Sequence, residues 1–420
     1  MLVTYLPRIG TFFCLSPCIS AQRRGIECRK QDLEKSNEQD ARWDGFSMNR
    51  QLLSERFACT VAPEIQARLS ETQFSKVKSF ELDLQRSRLS LVHEGCPCGS
   101  ADELDDVIVS EVDRYGLSLT TVLCKNCGTL RTNPYLDSAS LDAFYRETYL
   151  ALYGWAPVME DYFARQFSYG ERVLALYDRE LPANASVLEV GCGAGGALSI
   201  FQSRGFRVAG CDLGSDLINY GTIQGVGNLW NGTLHEAPKE VANQRYDLIY
   251  LHHVFEHMAS PAETLHALSQ RLTPQGKILV IVPDITRVDQ FPIPGGDILQ
   301  FFHVGHKFNY TVDCLDSVAR QTTLTAVCRT APTHIMTPWS QMPELWVEFR
   351  TAASVGGIWS PGRLAGYRVL RNLLKIERQY LAGKYSTSAT IPAEESTAPA
   401  ISHASPRKKF WHRICGKEAA

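Results

Sequence analysis

Eleven residues, Ser186-Val-Leu-Glu-Val-Gly-Cys-Gly-Ala-Gly-Gly196, constrain this chain more than any other stretch. Val187, Leu188 and Val190 form a short aliphatic, partly β-branched run that reads as a buried parallel strand. Gly191, Gly193 and Gly195 follow at once. Ala197–Arg204 then has helical spacing that stops at Gly205, a residue suited to ending a helix. Phe206–Cys211 reads as a second strand, and Asp212 ends it, 21 residues after Gly191. Strand, glycine turn, helix, strand and terminal acid together describe a nucleotide-binding βαβ unit. In such a unit glycine lets backbone approach the ligand, and the terminal acid accepts hydrogen bonds from two ribose hydroxyls.

The glycine spacing narrows the ligand. A dinucleotide fold uses G-x-G-x-x-G to seat a pyrophosphate. Here the pattern is Glu189-x-Gly191-x-Gly193-x-Gly195, with an acid before the turn. A carboxylate there suits a cationic amino-acid moiety better than a pyrophosphate. This pattern resembles the class I S-adenosylmethionine (SAM)-dependent methyltransferases. Tyr246–Met258 is similar to strand four of that fold and the residues that follow it. Leu272-Thr-Pro-Gln-Gly is similar to the family's L-x-P-G-G turn into strand five, with Gln275 in place of the first glycine. The resemblance covers about residues 140–350. It implies a Rossmann-like α/β fold with a seven-stranded sheet and helices on both faces. It also implies SAM as cofactor, held by Glu189, Gly191, Gly193, Gly195, Asp212, Leu213 and His252.

Composition bounds the rest. With 420 residues, 44% of them hydrophobic, the chain can bury one large core plus a smaller module. A net charge of −2 argues against reliance on bulk attraction to nucleic acid. No apolar run approaches the ~20 residues that span a bilayer. The first twenty residues contain Pro7, Arg8 and Gly10 without a basic n-region, a poor secretory signal, so a cytoplasmic protein is expected.

Thirteen cysteines are not spaced as a disulfide scaffold. Cys96-Pro-Cys98-Gly and Cys124-Lys-Asn-Cys127-Gly are two knuckles separated by strand-like stretches at Asp106–Val109 and Leu117–Leu123. This is a zinc-ribbon pattern. The first knuckle is C-x-C, where the usual spacing is C-x-x-C or longer. Three readings fit: a tight site of Cys96, Cys98, Cys124 and Cys127, a site using His93 for one cysteine, or a degenerate ribbon without metal. A four-ligand site would be structural, because it leaves no position for water. A ribbon-like module, then Leu141–Tyr149, then a SAM fold, resembles a narrower group: bacterial methyltransferases with an N-terminal zinc-binding domain, many acting on nucleotide-linked sugars or surface polysaccharide.

In an open α/β sheet, ligands sit beyond the carboxyl ends of the strands. The strand ending near Leu251 therefore delivers His252 and His253 to the rim of the cofactor crevice, with Glu256 and His257 expected to open the next helix. Methyl transfer from a sulfonium is an in-line displacement. It needs the nucleophile aligned and, for hydroxyl or carbon acids, a proton removed. Imidazole suits that task. His257 is the leading candidate base, with Glu256 and His253 beside it; the competing reading is an acid–histidine pair that bonds locally. Related sugar C-methyltransferases place a tyrosine two positions before this glutamate, where this chain has Val254. Further on, Phe302–Thr311 gathers His303, His306, Lys307, Asn309 and Tyr310 after a Pro- and Gly-rich loop at Phe291–Gly296. His303, His306 and Tyr310 are candidate contacts to a polyhydroxylated or phosphorylated acceptor, while Asn309 and Thr311 also suit capping the helix that begins near Val312.

Other motifs weigh less. Asn133-Pro-Tyr135 is similar to the N-P-P-Y of base-amino methyltransferases but lies before the glycine loop, and reads as a turn. Cys192 and Cys211 read as small packing residues, and Cys14, Cys18 and Cys28 only mimic metal spacing. The chain divides into 1–47, disordered or an over-long start with Met48 as initiator; 48–92, a helical lead-in; 93–135, the ribbon-like module; 136–352, the methyltransferase domain; 353–384, a C-terminal helix; and 385–420, a disordered basic tail. That tail, ending in Arg407-Lys-Lys-Phe-Trp-His-Arg, reads as solvated, with weak contact to an anionic membrane surface as the alternative. The expected function is methyl transfer to a hydroxyl or carbon of a small, sugar-like acceptor, with no nucleic-acid partner. The rival readings are an RNA methyltransferase with a zinc module and a non-catalytic SAM-fold binding protein. Nothing in the sequence sets the oligomeric state.

Overall fold

The computed structural model describes residues 50–100, 105–153, 158–287, 297–330, 343–351 and 365–383. The start with Cys14, Cys18, Cys28 and Met48, the loop Phe291–Gly296 and the tail 385–420 lie outside the described residues.

The principal sheet contains β1 (Ser186–Val190), β2 (Arg207–Asp212), β3 (Leu229–Asn231), β4 (Tyr246–His252), β5 (Leu272–Pro283), β6 (Leu324–Arg329) and β7 (Glu344–Thr351). Their spatial order is β6-β7-β5-β4-β1-β2-β3. The five strands from β3 to β5 are parallel, whereas β7 runs antiparallel to both β5 and β6. Strand order reverses at β1, which lies between β2 and β4, and the carboxyl ends of the strands at such a reversal are where open α/β sheets bind ligands. The strands read as continuous apolar runs because helices cover both faces: Ile278–Val282 of β5 are all fully buried.

One face packs on α1 (Met159–Tyr177) and α2 (Gly196–Ser203), with α3 (Ser215–Ile223) beyond them. The other packs on α4 (Pro261–Ser269) and α5 (Val312–Arg320). Each helix has a local cause. Pro261 starts α4 at a position where its missing N–H costs nothing. Thr311 accepts the Cys314 N–H at the head of α5. The expectation that Glu256 and His257 open a helix is corrected. They form a single tight turn, Phe255–His257, after which Met258 is extended and α4 begins only at Pro261.

The lead-in folds as two helices, Ala62–Gln66 and Glu71–Gln85. The second starts on a reciprocal Ser70–Gln73 cap and turns Val77 and Phe80 inward. The cysteine-bearing segment forms an antiparallel meander of Asp106–Ser110, Thr121–Cys124 and Leu130–Thr132. Its free edge is completed by Phe308–Asn309, from the segment after β5. The meander is thus stitched into the larger fold, and Cys96, Cys124 and Cys127 share a core with Leu315 and Val318 of α5. Helix α6 (Ala365–Leu381) returns to the amino-terminal end, where its buried Glu377 accepts from Arg56 Nε and Ser54 Oγ, both at 2.7 Å. Among the described residues no helix is long and apolar enough to cross a membrane.

Candidate active site

The glycine turn after β1 is shaped by steric necessity. Gly191 and Gly193 have φ of +73° and +55°, a region side chains disfavour. A Cβ on Gly191 would overlap the Val254 side chain, and one on Gly193 would overlap Tyr162 and Gln166. Backbone N–H groups of Gly191 and Cys192 both donate to Cys211 O, at 2.8 and 2.9 Å, tying the turn to β2. Asp212 follows at the end of β2. Its Oδ2 accepts from Gly193 N at 2.9 Å and its Oδ1 from Gly214 N at 2.7 Å. Burial raises its carboxyl above the ordinary range while these N–H groups pull the other way. Leu213 beside it is 48% exposed. Glu189 stands one layer deeper, buried, accepting from Tyr250 Oη at 2.9 Å, with its carboxyl pushed well above the usual range by burial.

Sequence reasoning missed the residue that braces this turn. Gln166 of α1 donates Nε2 to Cys192 O at 2.8 Å and accepts at Oε1 from Ala194 N at 3.0 Å. The signal was present: Gln166 is a polar residue on the buried stripe that includes Phe163, Gly170 and Val173.

At the carboxyl end of β4, His252 and His253 both place Nε2 3.2 Å from Glu344 Oε1. Glu344, on β7, also accepts at Oε2 from Arg172 at 2.5 Å and from Trp346 Nε1 at 3.0 Å. Against burial, the two histidines hold Glu344 well below the usual carboxylate range. Burial takes His252 down to about 4, and its ring also packs on Tyr169. His253 differs. Against burial, Glu344 and Glu256 raise its pKa, and a third of its side chain is open. It sits at φ +53°, a left-handed backbone uncommon for histidine.

A second tier lies behind it. His257 Nδ1 is 2.5 Å from Gly305 O and 2.7 Å from Tyr145 Oη. A carbonyl can only accept, so Nδ1 carries the hydrogen and Nε2 is bare. Burial lowers His257 to about 4. Tyr145 was not singled out from sequence; it brings a phenol to the Glu256–His257 pair from another segment than the one Val254 occupies. Glu256 is fully buried and pushed up to about 7 by that burial. Around its Oε1 stand His253 Nδ1 at 3.6 Å, His306 Nε2 at 3.9 Å and His257 Nε2 at 4.0 Å. The His303 and His306 rings lie 3.8 Å apart, with Tyr153 against His303.

The structure thus brings His253, Glu256, His257, His303 and His306 together. Tyr310 does not join them. It is fully buried with its ring against Phe255 and stacked on Phe308, so the expected acceptor contact is corrected to a core position. The remaining polar residues of that segment serve the fold: Lys307 donates to Glu94 and Ala259 O, Asn309 to Phe301 O, and Thr311 to Cys127 O.

Four sulfurs, of Cys96, Cys98, Cys124 and Cys127, lie within 4.8 Å of one another, and His93 is not among them. Cys96–Cys127 is 3.5 Å and Cys98–Cys124 is 3.8 Å. A tetrahedral zinc with sulfurs at about 2.3 Å sets them roughly 3.8 Å apart, so the residues present fit such an ion. A fifth thiol, Cys314 at the head of α5, is buried beside Cys96 and Cys127.

Residues 162–329 match the family model described as a methyltransferase domain. That segment carries most of the Rossmann-like mixed sheet, and its match is to a methyltransferase domain. Among curated proteins, the chain is 26% identical over 97 residues to the ubiquinone biosynthesis O-methyltransferase of Hydrogenovibrio crunogenus, covering 22% of this chain and 40% of that protein. It is also 26% identical over 98 residues to the protein of the same name from Aeromonas salmonicida, covering 22% and 41%. The chain spans about two fifths of the length of these relatives. Among solved structures, the 1,6-didemethyltoxoflavin-N1-methyltransferase of Burkholderia thailandensis gives a TM-score of 0.40 at 17% identity, covering 55% of this chain and 95% of that one. A plantazolicin methyltransferase gives 0.38 at 14% identity, covering 50% and 93%.

Proposed function

We propose that this chain transfers the methyl group of SAM to a hydroxyl or carbon of a small polyhydroxylated acceptor, of the kind represented by nucleotide-linked sugars and surface-glycan precursors, in the cytoplasm. The observation that carries this reading is the contact of Gly191 with Val254. It sets the glycine turn against the residue next to His253, which supports a cofactor and an acceptor held side by side. The O-methyltransferase names of the curated relatives support oxygen as the methylated atom.

Bound SAM supplies an electrophilic methyl carbon on a sulfonium. The protein supplies the rest. Asp212 accepts from the ribose hydroxyls, and Leu213 offers an apolar surface to the adenine. The glycines admit the ligand against the backbone. His253, exposed to the crevice and flanked by two carboxylates, takes the acceptor's proton as the acceptor atom bonds to the methyl carbon and the sulfur–carbon bond breaks. Glu344 holds its ring in place, and His303 narrows the pocket. The four cysteines would hold a zinc ion that ties the meander to α5 and takes no part in the chemistry.

A screen of nucleotide sugars and small phenols, read as S-adenosylhomocysteine release, tests the reading. Turnover of one class, reduced ~10²–10⁴-fold by His253→Ala with SAM affinity retained, is the expected result. Strong salt-dependent binding of RNA with no small acceptor consumed would overturn it in favour of an RNA substrate.

A further inference from the structure

Glu256 presents a problem that the proposed chemistry leaves unsolved. Its side chain is wholly buried, and neither carboxylate oxygen has a hydrogen-bond partner among the described residues. Buried polar groups are almost always paired, and an unpaired one calls for an unseen partner. The surroundings say what partner fits. His306 Nε2 and His257 Nε2 stand 3.9 and 4.0 Å from Glu256 Oε1, too far for hydrogen bonds. The three ligand atoms all lie within 4.8 Å of one another. Donors held at about 2.0–2.2 Å from one ion stand roughly 3–4 Å apart, so an ion among them would satisfy all three after small shifts.

The orientation of His257 agrees. Its Nδ1 hydrogen is committed to Gly305 O, with Tyr145 Oη at the same nitrogen, which aims the bare Nε2 inward. This is the outer-shell bonding that fixes a metal-ligating imidazole. The neighbouring group of His252, His253 and Glu344 is a poorer candidate, because Glu344 is already compensated by Arg172 and Trp346.

We propose that Glu256, His257 and His306 bind a divalent transition-metal ion, distinct from the cysteine site, with open coordination positions facing the acceptor pocket. Two imidazoles and one carboxylate suit zinc, manganese or ferrous iron. Three protein ligands leave room for an oxygen of the acceptor, which the ion would orient and acidify, easing loss of its proton to His253. An acceptor with adjacent oxygens, a vicinal diol or a catechol, would chelate it best. The role in catalysis rests on the function proposed above; the binding of the ion does not.

The test uses the untagged full chain, stripped of metal and titrated with Co²⁺. The cysteine site reports through thiolate-to-cobalt charge-transfer absorption, whereas a site of nitrogen and oxygen ligands gives only weak visible bands. The expected result is one equivalent of the second kind in the wild type. Glu256→Gln and His306→Ala should each weaken it roughly 100-fold or more, with the thiolate signal and calorimetric SAM affinity retained. His306→Gln guards against misfolding, its thermal unfolding being compared with that of the wild type. Cobalt binding of the thiolate kind alone in the wild type, or unchanged second-site binding in folded Glu256→Gln and His306→Gln, would overturn the proposal. Loss of SAM binding in the wild type would instead overturn the methyltransferase reading, so the two failures are told apart.

Discussion

Gln166 donates its side-chain amide to the carbonyl oxygen of Cys192 at 2.8 Å, reaching from α1 into the middle of the glycine turn. The same side chain receives Ala194 N, and Cys192 O accepts from Gly195 N as well, so one residue meets a donor of the turn and adds a second bond to its carbonyl. The helix therefore braces the glycine turn directly.

Gln166→Ala should leave the sheet intact and loosen the turn. Each lost hydrogen bond to a buried backbone group costs about 1–3 kcal/mol where no water replaces it. SAM affinity should fall roughly tenfold or more, measured by calorimetry, with a smaller fall in thermal stability than a truncation in β5 would cause.

Asp212→Ala removes the partner of Gly193 N and, on the function proposed above, the acceptor for the ribose hydroxyls. Charge-assisted hydrogen bonds are worth about 1.5–3 kcal/mol each. SAM should bind one to a few orders of magnitude more weakly. Unchanged affinity in a folded variant would remove Asp212 from the site.

Cys124→Ser and Cys127→Ser test the sulfur cluster. Purified protein should hold about one zinc per chain at these residues, and each substitution should release it and lower the unfolding temperature, with SAM affinity retained. Thr311 donates to Cys127 O while capping α5, so the loss should also loosen the head of that helix. Elemental analysis finding no thiolate-bound metal in protein purified without chelator would leave the cluster as packed thiols.

The parts of this fold that were legible in the sequence are those fixed by short-range physics. Val187–Val190, the glycines and Asp212 announce their unit because strand burial, positive φ and the bond of Gly193 N to Asp212 all act within thirty residues. The cysteine knuckles were legible for the same reason. Contacts between distant segments were not. Glu344 stands about ninety positions from His252, and nothing local marks it as the acid that holds two histidines. Tyr145 meets His257 across 112 positions. Tyr310 misled for the opposite reason: a tyrosine among histidines suggests a polar contact, yet its ring is worth more buried against Phe255 and Phe308. The pairing of Phe308–Asn309 with the cysteine meander was likewise invisible, because a two-residue strand has no periodicity to read.

The network around Glu344 gives the last prediction. Arg172 and Glu344 are each 6% exposed at the side chain, so their 2.5 Å contact is a buried ion pair, and Trp346 and both histidines complete the carboxylate's bonding. Glu344→Ala would strand the Arg172 guanidinium in the interior, a loss of about 3–5 kcal/mol that unfolding curves should show. Glu344→Gln keeps an acceptor for Trp346 and preserves the volume while removing the charge that fixes His253. This variant keeps an oxygen for Arg172 but not its counter-charge, so it should also lose stability, less than Glu344→Ala, and bind SAM within a few-fold of wild type under conditions where it is folded. Its turnover should nonetheless fall at least tenfold, because His253 loses the partner that orients its ring. Glu344→Gln with wild-type turnover would show that His253 needs no such support and would point to the inner histidines for proton removal.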